Sequence, residues 1–154
     1  MCASIDGTGD IVEFIRKGIV WEEWLENFKE GLAAPGGKDK MWFDLTITGP
    51  GMFSIKDLFD LSLELDVRIE TKIMFAFHPD IVFSPFVWPK HILTRKIDEL
   101  LEYMEPIATH KQFTLINTLR EMRNRPSFEE EYPEEFIQGK KNVYVFLRFA
   151  FKSC

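Results

Sequence analysis

Three side chains near the start of the chain, Ser4, Asp6 and Arg16, have the types and spacing to hold a small polar ligand. They lie in MCASIDGTGDIVEFIRKGIVW, residues 1 to 21, which reads as a strand, a glycine turn and a helix entry. Strand residues alternate faces, so Cys2, Ser4 and Asp6 share one face while Ala3 and Ile5 take the other. Gly7 and Gly9 let the backbone turn sharply and lie close against a ligand. Asp10 is the predicted N-cap of a helix holding Ile11, Phe14 and Ile15. Ligands of open α/β sheets and barrels collect at the C-terminal ends of parallel strands. Ser4 and Asp6 fall at such an end, and Arg16 returns a guanidinium to the same mouth.

The elements that must position these residues follow in order. From Val20 to Ala34, Val20, Trp21, Trp24, Leu25, Phe28 and Leu32 recur at helical spacing, and Pro35, Gly36 and Gly37 end the helix. Trp21 and Trp24 read as core packing. Met41 to Thr48 (MWFDLTIT) predicts a second strand, with Phe43, Leu45 and Ile47 on an apolar face and Trp42, Asp44, Thr46 and Thr48 on a mixed one. Ser54 is the expected cap of a helix reaching Leu65, with Asp57 completing an imperfect capping box. A third strand is predicted over Arg68 to Phe77, its Ile69, Thr71, Ile73, Phe75 and Phe77 alternating with Glu70, Lys72, Met74 and Ala76. Strands alternating with helices make βαβ units and a parallel sheet. Further helices are expected from Pro89 to Tyr103 and from Lys111 to Arg125. Tyr144 to Phe151 fits a strand or a packing helix equally.

The stretch SIDGTGDIVEFIRKGIVW resembles the fourth strand and following helix of radical SAM enzymes, of the group with a SPASM or twitch extension. The positions that carry the resemblance are Ser4, Asp6, Gly7, Gly9, Glu13, Ile15, Arg16, Gly18 and Trp21, and NRPSFEEEYPEEF resembles the C-terminal region of the same proteins. The resemblance implies an α/β fold in which parallel βα units form about half of a partial (β/α)6 TIM-like barrel over residues 1–106. A helical C-terminal region would follow over 107–154. It implies S-adenosylmethionine as cofactor, with Ser4 on its methionyl or ribose end, Asp6 on the ribose and Arg16 on the carboxylate. Asp44 stands nearest the polar residue that strand five of the family gives to the cofactor, commonly Asn. His78, with Phe77 and Ile81, stands where backbone after strand six meets the adenine. The implied chemistry is reductive cleavage of S-adenosylmethionine and hydrogen abstraction from a small-molecule or peptide substrate. No catalytic residue is assigned.

That chemistry needs three thiolates in a CxxxCxxC loop for a [4Fe-4S] cluster, and this chain has two cysteines, Cys2 and Cys154. A cluster is therefore expected only with an N-terminal barrel half that this chain lacks, and a reductase is a possible further partner. The other reading is a non-catalytic α/β binding or interaction module built on a decayed barrel. A third is a fragment of another βα barrel that binds phosphate, for which Gly49-Pro50-Gly51 is the candidate nest.

Composition narrows the classes further. With 45% hydrophobic and 29% charged residues the chain is of globular type, and one domain is the prior for its 154 residues. Its 15 Phe, 4 Trp and 3 Tyr suffice for a sizeable core. A formal charge of −6 argues against broad contact with nucleic-acid phosphates. No run of membrane-spanning length or signal peptide is visible, so a cytoplasmic location is the expectation. Walker A, GxGxxG and GxSxG sequences are absent. His78 and His91 could serve as metal ligands or acid–base groups. With only His110 elsewhere and no HxH or HxxxH spacing, ordinary loop or surface histidines are the better reading. The five glutamates between Glu129 and Glu135 read as a solvated helix start rather than a metal site.

Overall fold

The computed structural model describes residues 2–77 and 80–139. Three short strands, β1 (Cys2–Ile5), β2 (Trp42–Ile47) and β3 (Ile69–Ile73), form one parallel sheet in the order β1-β2-β3. The register sets Ser4 beside Asp44 and Asp44 beside Glu70. The period of two then sorts the faces. Ile5, Phe43, Leu45, Ile47 and Ile69 point one way and are buried, while Cys2, Ser4, Trp42, Asp44, Thr46, Glu70 and Lys72 point the other way and are exposed or half-buried.

The apolar face meets helices. α2 (Trp21–Ala33) brings Phe28 to 4.8 Å from Phe43, ring to ring. Trp24 stacks on Phe28 in turn, so the tryptophans of α2 serve the core. α5 (Lys90–Met104) and α6 (Phe113–Asn124) pack together, and α6 lies against β3, where the Thr118 and Thr71 hydroxyls meet at 2.6 Å. Leu93, Ile97, Leu100, Leu101 and Met104 of α5 are buried at the spacing their helical period requires. α4 (Ile55–Glu64) contributes Leu58 and Phe59 to the same core. Two short helices, α3 (Gly37–Lys40) and α7 (Phe128–Glu131), lead into β2 and follow α6.

Several boundaries differ from the sequence expectation for physical reasons. α1 (Gly9–Ile15) starts at Gly9 with Thr8 at its N-cap position, so Asp10 is not the cap but sits in the first turn, where a negative charge suits the helix dipole. Gly18, at φ 95°, separates α1 from α2, and the Glu13 carboxylate accepts the Trp21 N–H at 2.8 Å across the break. Ser54 precedes α4 without capping it. Its hydroxyl donates to the Gly51 carbonyl at 3.2 Å and accepts the Thr8 N–H at 3.2 Å. β3 stops at Ile73 because Phe75 and Phe77 leave the ladder for an aromatic cluster with Phe128 and Tyr132. Tyr144 to Phe151 lies outside the described residues.

Candidate functional site

β1 ends at Ile5, and Asp6 follows with its carboxylate turned back toward the strand's polar face. The turn holds that position by close backbone packing. A β-carbon on Gly51 would run into the Asp6 carbonyl, and one on Gly7 would run into the Ser54 hydroxyl. Only residues without a side chain allow the two turns after β1 and β2 to approach this closely. Arg16 sits at the C-cap of α1 with an extended backbone, which frees its side chain to reach back across the turn.

The guanidinium reaches both earlier residues. Its Nη2 donates to the Ser4 hydroxyl at 2.9 Å and its Nη1 to the Ser4 carbonyl at 3.2 Å. Its Nε donates to the Asp6 carboxylate. The Asp6 side chain is 8% exposed and that of Arg16 is 35% exposed, so the cation covers a nearly buried anion. Ser4, Asp6 and Arg16 are thus brought together, but bonded to one another rather than standing as three free groups. A guanidinium has five N–H groups. Three are used here, on all three guanidinium nitrogens.

Asp44 lies next to Ser4 in the register on the same face. Its carboxylate takes the Lys72 ammonium at 2.7 Å, toward β3 and away from β1. His78 lies outside the described residues. Ile81 is fully buried, so its side chain belongs to the core, whereas Phe77 is 39% exposed. His91 and His110 are exposed.

Three residues of this face went unassigned from sequence. Lys72 pairs Asp44, Arg68 stands 3.6 Å from Glu70, and the Arg68 guanidinium lies 4.3 Å from the centre of the Trp42 ring. The period-two alternation of β3 put Glu70 and Lys72 on one face, which was the available signal, and the register then sets Glu70 beside Asp44 and Lys72 beside Thr46. Among the described residues the face therefore carries three ion pairs, Asp6–Arg16, Asp44–Lys72 and Glu70–Arg68.

Comparison with family models, curated proteins and solved structures returned no match.

The Gly49-Pro50-Gly51 turn does not form a phosphate nest. Its Gly51 N–H goes to the Thr48 hydroxyl at 2.9 Å and its Gly49 N–H to the Phe83 carbonyl at 2.8 Å, and proline has none to give. Among the described residues no cluster of three or more His, Cys, Asp or Glu side chains is placed to hold a metal ion. Glu130 instead closes a capping box with Ser127, and hydrogen bonds from the Ser127 N–H and hydroxyl hold its carboxyl below the usual range. No helix among the described residues is long and apolar enough to cross a membrane.

Proposed function

We propose that this chain is the S-adenosylmethionine-binding portion of a radical SAM enzyme, its three βα units forming half of a partial TIM-like barrel. The observation that carries the reading is the convergence of Ser4, Asp6 and Arg16 at the C-terminal end of a parallel strand, on the polar face of the sheet. A parallel sheet normally has both faces covered. A polar, ion-paired second face suits the lining of a lumen that further strands would close.

The donor set fits the amino-acid end of the cofactor. In this reading Arg16 pairs the carboxylate fork to fork, a planar contact that lysine does not offer and that takes the place of its present bonds to Ser4. Asp6 fixes the plane of that fork, and the Ser4 hydroxyl is positioned for the ribose or the methionyl group. When bound beside a reduced cluster, S-adenosylmethionine supplies a 5′-deoxyadenosyl radical for hydrogen abstraction. The cluster itself does not fit this chain, whose two cysteines fall short of three thiolates, so another polypeptide segment would have to hold it.

Isothermal titration of the chain with S-adenosylmethionine tests the reading. Arg16→Lys keeps the charge beside Asp6 and removes the fork, and should weaken binding by about tenfold or more, as expected for a charge-assisted hydrogen bond. An unchanged dissociation constant would remove Arg16 from the carboxylate role. No binding by the folded chain at millimolar cofactor would leave the second reading, a non-catalytic module. The closed bonding of Arg16 with Asp6 and Ser4 favours that reading, since it gives all three a structural purpose.

A further inference from the structure

α2 and α4 border an open groove of about 440 Å³. Its floor is apolar. Trp21 and Leu25 of α2 and Leu61 of α4 line it, and all three are only half-buried. Trp21 and Leu25 stand one helical turn apart and so lie on the same side of α2. The Trp21 ring is steadied from within by stacking on Trp24, at 5.4 Å. The wall on α4 carries Asp57, Asp60 and Glu64, and among the described residues no lysine, arginine or histidine lines the groove. Asp60 is already engaged, since it accepts the Lys56 ammonium at 2.9 Å and the Tyr103 hydroxyl at 3.0 Å. Asp57 and Glu64 are exposed and have no ion pair among the described residues. They stand two helical turns apart, about 10 Å along α4.

We propose that this groove seats a basic amphipathic helix of a partner protein. The apolar strip of that helix packs on Trp21, Leu25 and Leu61, and its lysines or arginines, two turns apart, reach Asp57 and Glu64. An arginine there also suits the face of the Trp21 ring. A single small cation gains little from an exposed carboxylate. A helix brings several cations at once and covers the apolar floor between them. The walls carry charge of one sign, so they admit a basic helix and refuse an acidic one. The groove uses none of Ser4, Asp6, Arg16, Asp44 or His78, and the proposal stands apart from the cofactor reading.

Fluorescence anisotropy with a dye-labelled synthetic helix tests this. The probe carries leucines along one face with lysines flanking them, and a second peptide has glutamates in place of the lysines. The lysine peptide should bind saturably and the glutamate peptide should not bind. Asp57→Asn with Glu64→Gln should weaken binding about fivefold, the scale of two exposed ion pairs, and Leu61→Lys should weaken it further. Glu121→Gln with Glu129→Gln removes the same charge from exposed positions on α6 and α7, and should leave binding unchanged. Equal weakening by the two charge variants overturns the groove, because the attraction would then be to net charge alone. No saturable binding of the lysine peptide at sub-millimolar concentration overturns it too. Sedimentation of the chain alone supplies the last outcome: a dimer that Leu61→Lys separates would make a second copy the occupant and sink the proposal. The charge variants decide the matter even if Leu61→Lys does not fold.

Discussion

Arg16 has two tasks that pull in different directions. As the partner of Asp6 it neutralises a carboxylate that is almost shielded from water, and a charge left alone there is costly. As a candidate ligand of a cofactor it must keep part of its guanidinium free. Its own partial exposure allows both, because water and salt still reach part of the side chain. The structural share is measurable without any ligand. Arg16→Ala should lower stability in urea unfolding by about 1–2 kcal/mol, less than for a fully buried pair because the arginine is partly exposed. In the Asp6→Asn background the same substitution should cost much less. Equal costs in both backgrounds would mean that the pair contributes nothing. Of the candidate residues, Ser4, Asp6 and Arg16 were legible because strand alternation and a short turn bring them to one end. Their bonding to one another was not legible, since it depends on the C-cap conformation of Arg16, which no residue type announces.

At the level of elements, the two turns after β1 and β2 are built as one unit. Gly51 lies against the Asp6 carbonyl, Ser54 accepts the Thr8 N–H, and Thr48 accepts the Gly51 N–H. Gly51→Ala would force a β-carbon into backbone, which cannot swing aside as a side chain can. The expected cost is at least about 2 kcal/mol, read as a lower urea midpoint, whereas a cost within 0.5 kcal/mol (~ the level of a neutral surface change) would show that the turns move apart easily. The strand and helix types followed from periodicity, and α2, β2, α4, α5 and α6 fall within a few residues of where the apolar spacing puts them. The end of β3 did not, because alternation continues through Phe75 and Phe77 after hydrogen bonding stops. The cluster that draws those rings away, with Phe128 and Tyr132, is built from residues more than fifty positions later.

For the molecule as a whole, several carboxylates act as fasteners between distant segments. Asp66 is held by the Lys111 ammonium at 2.7 Å and Asp98 by the Arg123 guanidinium, each through a hydrogen bond reinforced by charge attraction, and both titrate below the usual range. Within one helix start, the Ser127 N–H and hydroxyl likewise hold the Glu130 carboxyl below the usual range. A lowered folded-state value means that the folded form resists protonation more than the unfolded chain does. These contributions are therefore complete above the ordinary carboxylate range, about pH 4, and are lost as the pH falls through the lowered values. The melting temperature should hold from pH 7 to 5 and fall below about pH 4. Asp98→Asn and Asp66→Asn should flatten that fall, and asparagine suits position 66 because the backbone there is left-handed, at φ 56°. An acid profile identical to the parent's in the double variant would show that other groups set it.

The strand order has one more consequence, in time rather than in space. Each strand pairs with the one that precedes it in the chain, so β1 waits only for β2 and β2 only for β3. A sheet ordered in this way can assemble from its beginning as the polypeptide leaves the ribosome. The side of β1 that pairs with β2 waits longest for its partner, from Ile5 until Trp42 to Leu45 have been made. The pairing of the central strand on both sides is complete once Ile73 has emerged.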